Sequence, residues 1–278
     1  MASWPVPPQP PVPPPAPGGR FPGPPARPTV LGLHARQWMV VAILLGVCFS
    51  ALSGGALTVA WAALTRPPTN AELQRAADAE VARRWRTWPA GRIFPERLAY
   101  ALPGGRTEYA ARVGVLPDTS CAGAADDQVG EVLRRHGCRA ALRATYTDQL
   151  QGVVVTVGVV AFPDAWKADA ALKEMPPSSA PDADRPVPVT PALHAVAFPG
   201  TASARFTDAA RQQRFAGRAG PYVVLTAAGQ ADGRPAAAVT KRRPGSPFAL
   251  APQLAEEVAR PLATRPLPDC AAKKEWQC

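Results

Sequence analysis

From Gln37 to Thr65 the chain runs for 29 residues without one charged side chain, and no other stretch limits its architecture as strongly. A bilayer core about 30 Å thick takes roughly 20 helical residues, so WMVVAILLGVCFSALSGGALTVAWAALT can cross it with some tilt. Trp38 and Trp61 stand near the two ends, where amphipathic rings prefer the headgroup layer, and Arg36 and Arg66 flank the run. The expectation is one transmembrane helix over 37–65, with most of the protein on its C-terminal side.

Three other readings compete with this one. A cleaved signal peptide has an apolar core of about 7–15 residues. This run is about twice that length and follows a 36-residue leader, although Ala60-Trp61-Ala62 resembles a cleavage site. A lipoprotein would need Cys48 as the acylated residue, yet bulky Val47 precedes it and apolar residues continue far beyond. A buried soluble helix of 29 uncharged residues would need an apolar environment on every side.

Beyond the span, 213 residues remain from Arg66 onward, enough for a core without help from metals. Arginine outnumbers lysine 26 to five, and Ile and Asn are nearly absent, as in proteins from GC-rich genomes. Of the net charge of +10, +3 falls in residues 1–65 and +7 in the remainder. Such a surface can meet anionic lipid or cell-wall polymers. No compact Lys/Arg run interleaved with aromatics occurs, so no nucleic-acid partner is expected.

Cys48 falls inside the span, which leaves Cys121, Cys138, Cys270 and Cys278. In an oxidising compartment chain proximity suggests Cys121–Cys138 and Cys270–Cys278, although four cysteines allow three connectivities. The competing metal set of Cys121, His136 and Cys138, with Cys270, matches no standard zinc spacing. Basic residues flank the span on both sides, so charge does not set its direction. Long domains translocate largely regardless of charge, and paired cysteines place the C-terminal domain outside and the N-terminus in the cytoplasm.

Residues 1–36 form a Pro-rich segment with 13 of the 35 prolines before residue 31. It is expected to be a disordered or polyproline II cytoplasmic tail, with PxxP spacing that suits the aromatic groove of a cytoplasmic partner and equally suits a solvated spacer. Gly46, Ser50, Ser53 and Gly54 share one face of the span, a pattern compatible with self-association. After Pro67-Pro68, Thr69-Asn70-Ala71-Glu72 reads as a capping box. It opens a juxtamembrane helix within 66–91, whose stripe is Leu73, Ala77, Val81 and Trp85. Arg75, Arg83, Arg84 and Arg86 on that helix face either lipid phosphates or water.

From residue 92 to 262 the pattern is that of an external α+β domain with a mainly antiparallel sheet. Expected strands are Tyr109–Leu116, Arg139–Tyr146, Val153–Phe162, Leu193–Phe198 and Tyr222–Ala228. The Val153–Phe162 run is apolar on both faces, as in a central strand, and Gln149–Gly152 reads as a hairpin turn. Helices are expected at about 125–136, 164–175 and 248–260, with Asp164 capping the second. Similarity between Thr145–Asp148 and Arg205–Asp208 suggests two related halves, 92–175 and 192–262, joined by a Pro-rich loop at 176–191. Residues 263–278 read as an irregular, disulfide-tied end.

No nucleophile elbow, phosphate loop, dinucleotide fingerprint or HExxH motif occurs, and no cofactor or catalytic set is expected. Asp148, His194 and Asp208 are the candidates an enzyme reading would use, although strand packing and turn chemistry account for them equally. Asp126, Asp127 and Glu131 cluster at a helix start, where negative charge suits the helix dipole.

The layout resembles uncharacterised single-pass membrane proteins of actinobacteria. The features that carry this are the Pro5–Pro28 tail, the single span, and the strand VVVTVGVVAFPD (153–164) leading into an Ala-rich helix. The domain also looks like the disulfide-bridged external sensor modules of actinobacterial receptor kinases, without any kinase motif. The resemblance implies a non-enzymatic envelope protein whose external domain binds or senses a cell-wall or envelope ligand. Alternatives are a scaffold subunit of a membrane complex and an enzyme with an unrecognised site.

Overall fold

The structure is a computed structural model that describes residues 29–30, 33–65, 68–176, 189, 191–236 and 248–265. The chain divides into two compact units, Met1–Pro67 and Pro68–Cys278.

In the first unit, β1 (Thr29–Val30) and β2 (Leu33–His34) form a two-residue antiparallel ladder ahead of helix α1 (Ala35–Thr65). Residues 1–28, where most of the expected Pro-rich tail falls, and Arg66 lie outside the described residues. Within α1 the stretch Arg36–Trp61 has a mean hydropathy of 2.2, and none of it is buried. At 1.5 Å per residue α1 is about 46 Å long, more than a bilayer's hydrocarbon thickness. Arg36, Trp38 and Trp61 are all exposed on it, as is the free thiol of Cys48.

The second unit opens with α2 (Asn70–Thr87), which starts where the capping box predicts. The Thr69 hydroxyl accepts from the Glu72 N–H, and the Glu72 carboxylate accepts from the Thr69 N–H at 2.8 Å. Ala77 and Val81 are buried and Leu73 and Trp85 half-buried, so the apolar stripe packs on the domain. Arg84 departs from expectation, because it faces neither lipid nor water. It holds Glu80 and donates through Nη1 to the carbonyls of Pro261, Leu262 and Thr264 at 2.7, 3.0 and 2.7 Å. Those carbonyls close helix α6 (Leu250–Ala263), whose last turn has no intrahelical donors of its own and favours a cation.

After the short helix α3 (Ala90–Ile93) come six strands: β3 (Arg97–Ala101), β4 (Thr107–Leu116), β5 (Ala140–Thr147), β6 (Val153–Ala161), β7 (Arg211–Ala219) and β8 (Tyr222–Gln230). They form one curled sheet in the order β3-β4-β5-β6-β8-β7, antiparallel at every pairing. The α+β expectation holds, and β5 and β6 are central and buried on both faces. The edge strands β3 and β7 escaped the sequence reading because RLAYA is short and RQQRFAGRA is rich in Arg and Gln, as suits an edge.

Helix α6 touches β3 at one edge and β7 and β8 at the other, so the sheet curls around it. Its Leu250, Leu254, Val258 and Leu262 meet Tyr146, Val155, Val157, Tyr222 and Val224 in the larger core. Each such leucine contributes roughly 1.5–3 kcal/mol by leaving water. The Tyr222 hydroxyl ties this core to α2, donating to the Val81 carbonyl at 2.5 Å. On the opposite face, α4 (Asp127–Arg135) and α5 (Ala165–Glu174) pack Val129, Leu133, Ala168 and Ala171 against Ala141, Val160 and Val223. Asp164 caps α5 as expected, accepting from the Lys167 N–H at 2.8 Å.

Both suggested halves belong to this one sheet. Thr145–Asp148 ends β5, whereas Arg205–Asp208 leads into a 3-10 turn (Asp208–Ala210), so the two tetrapeptides occupy different local structures. The Cys121–Cys138 disulfide is present, with Cα atoms 6.2 Å apart, and closes a loop around α4. It excludes the Cys121–His136–Cys138 metal set, because neither sulfur is left as a thiolate ligand. His136 instead ends α4 with Nε2 3.0 Å from Glu174 of α5, and that hydrogen bond holds the Glu174 carboxyl below the ordinary range. Cys270 and Cys278, and most of the 176–191 loop, lie outside the described residues.

Candidate functional site

Leu193–Phe198, expected as a strand, makes no ladder with the sheet. It is a strap laid across the face of the sheet that α4 and α5 also cover. Two strand glycines seat it. A Cβ at Gly158 of β6 would lie 2.8 Å from Leu193, and one at Gly114 of β4 would lie 2.5 Å from the Phe198 ring. Between them, two buried threonines replace the missing ladder. The Thr145 hydroxyl donates to the Val196 carbonyl at 2.7 Å, and the Thr156 hydroxyl oxygen accepts from the Val196 N–H at 3.1 Å. The two hydroxyls are also 3.1 Å apart, so both backbone groups of Val196 are satisfied without a strand partner.

At its first residues the strap pairs with the loop ahead of α4. The Asp126 N–H donates to the Ala192 carbonyl at 2.9 Å, and the His194 N–H donates to the Ala124 carbonyl at 3.0 Å. The side chains then build a compact polar cluster. Asp126 Oδ2 accepts from the Ala192 N–H at 2.8 Å, and Asp208 Oδ1 accepts from the Ala195 N–H at 2.7 Å. His194 Nδ1 faces both remaining oxygens, 2.8 Å from Asp208 Oδ2 and 3.6 Å from Asp126 Oδ1. Buried Arg211, at the start of β7, reaches Asp126 Oδ1 at 3.0 Å and donates to the carbonyls of Leu193 and Asp208, each at 3.0 Å.

His194 and Asp208 are therefore brought together, and Asp148 is not. Asp148 closes the β5–β6 hairpin, its Oδ1 accepting from the N–H groups of Gly152 and Val153 at 2.7 and 2.8 Å. Asp126 was read as a charge favouring the α4 dipole. Its side chain makes no capping bond to α4 and serves the strap and Arg211 instead. Arg211 itself was missed. The signal available was its i,i+3 spacing from Asp208, which is common on any polar surface.

A second buried arginine, Arg143 of β5, stands on the same face and holds Asp118 at 3.2 Å and the Gly123 carbonyl at 3.3 Å. Burial pushes its guanidinium below the ordinary range, and Asp118 partly opposes this. Near the strap's start a cavity of ≈ 20 Å³ lies among Val129, Met175, Leu193 and Arg214. It has room for about one water and none for an organic substrate. The Arg214 guanidinium is likewise pushed down by burial there, with Asp126 acting in the opposite direction.

No family model matches the chain, and no curated protein or solved structure matches it either.

Proposed function

We propose that this chain is a single-pass protein of the plasma membrane, with its N-terminus in the cytoplasm and its α+β domain outside. There the domain binds or senses an envelope ligand and does not catalyse a reaction. The observation that carries this reading is the combination of α1, long, uncharged from Gln37 and unburied, with a disulfide in the unit that follows it. Disulfides persist in oxidising compartments, and an apolar helix of this length is stable in lipid. A binding role is supported by the excess of basic residues from Arg66 onward, which suits an anionic envelope ligand.

Topology tests the reading. In intact cells a membrane-impermeant thiol reagent should label Cys121 and Cys138 only after reduction, and external protease should remove the domain. Labelling that needs permeabilised cells, with a protease-resistant domain, would place it in the cytoplasm and overturn the proposal. The ligand class is tested by co-sedimentation of the full chain in nanodiscs with purified wall polymer. Retention no greater than that of empty nanodiscs removes the wall as partner.

A further inference from the structure

We propose that Asp126, His194 and Asp208 form a binding site for a divalent first-row transition metal, with Zn²⁺ as the expected occupant. The three residues come from separate segments: the α4 N-cap, the strap and the 3-10 turn. Their ligand atoms lie within 4.8 Å of one another. Zinc bonds to nitrogen and carboxylate oxygen are about 2.0–2.2 Å, so ligand atoms around a tetrahedral ion stand about 3.4 Å apart. The two separations from His194 Nδ1, 2.8 and 3.6 Å, bracket that value.

The orientation of the carboxylates also suits an ion. Each has one oxygen engaged by a backbone N–H of this segment; of the second oxygens, Asp208 Oδ2 faces the imidazole nitrogen, and Asp126 Oδ1 faces it while also accepting from Arg211. Outer hydrogen bonds of this kind fix ligand direction in metal centres. All three residues keep some exposure, so an ion can enter and retain a water. One imidazole with two carboxylates suits zinc and its neighbours better than calcium, which takes six to eight oxygens. The ion replaces any proton on His194 Nδ1 and competes with Arg211 for Asp126 Oδ1, which lowers its affinity below that of an uncontested site. It would cross-link the strap to both flanking segments.

The test uses the untagged, metal-stripped full chain in nanodiscs, titrated with ZnCl2 by calorimetry. The expected result is one ion per chain, a raised Tm, and affinity lowered by at least about 100-fold in His194→Gln and Asp208→Asn, with Asp127→Asn unchanged. A wild-type readout covers the case in which those variants misfold. The chain has three histidines, and in imidazole ¹⁵N spectra zinc should move Nδ1 of His194. Movement confined to His34 or His136, equal affinity in all variants, or no heat and no Tm change would each overturn the proposal and leave the cluster as an ion-pair latch.

Discussion

The strap's seat on the sheet can be tested by filling it. In Gly158→Ala the new Cβ would lie 2.8 and 2.9 Å from Leu193 Cδ1 and Cδ2, where carbon atoms rest at about 3.5–4.0 Å. Leu193 is 1% exposed, and its strap is tied on both sides, by Asp126 and Ala124 before it and by Thr145 and Thr156 after it. It cannot retreat freely, so overpacking of about 1–3 kcal/mol is expected. Leu193→Ala alone should cost about 2–5 kcal/mol through lost burial and a void. Combined, the new methyl enters the space the leucine leaves, and the double variant should be about 1–2 kcal/mol more stable than the sum of the singles predicts. Urea unfolding of the full chain in micelles, followed by near-UV circular dichroism of the buried tyrosines, supplies the three values. Costs that add to within about 0.5 kcal/mol would refute contact between the strap and Gly158.

Two further outcomes follow from the same packing. Reducing Cys121–Cys138 should remove about 3 kcal/mol on the loop-entropy model. It should also speed amide exchange at Asp126 and His194 more than at Val157, because the reduced loop carries the strap's partners; uniform acceleration in exchange mass spectrometry would contradict this. Burial pushes Tyr222 up to about 12, and burial with the Glu108 hydrogen bond pushes Tyr100 up to about 12. Their folded-state values lie above the unfolded one, so this stabilisation is complete below about pH 10 and is lost as pH climbs through about 12. Ultraviolet titration in which both phenols ionise near pH 10 in the folded chain would refute their burial.

What could be read in the sequence is what local chemistry specifies. The capping box at Thr69, the Asp164 cap, the hairpin closed by Asp148 and the twice-apolar Val153 run each rest on residues a few positions apart. All of them appear in the fold. The strap could not be read that way. The run Leu193–Phe198 is short and apolar enough to suggest a strand, but a strand needs a backbone partner. Here the partners are hydroxyls of Thr145 and Thr156, which become adjacent only once β5 and β6 pair. The available hint was Gly114 and Gly158 inside the strands, since a strand glycine often marks a close approach by another segment.

The buried arginines were hidden for a different reason. Arg84, Arg143 and Arg211 each lie within a segment where other arginines are exposed, and the chain's arginine excess reads as codon usage and surface charge. A guanidinium offers five donors in a fixed plane, which suits places where several carbonyls converge without a regular partner. Arg84 does this for the end of α6, and Arg211 does it for the strap and the 3-10 turn. Each also takes a carboxylate with it: Glu80, Asp118 and Asp126 respectively. Each pair cancels to zero and leaves the net charge at +10, so the sequence total carries no trace of them. The basic character expected to meet an anionic envelope partner therefore rests on the remaining arginines. Among these, Arg75 and Arg86 are exposed on α2 and Arg83 is half-buried.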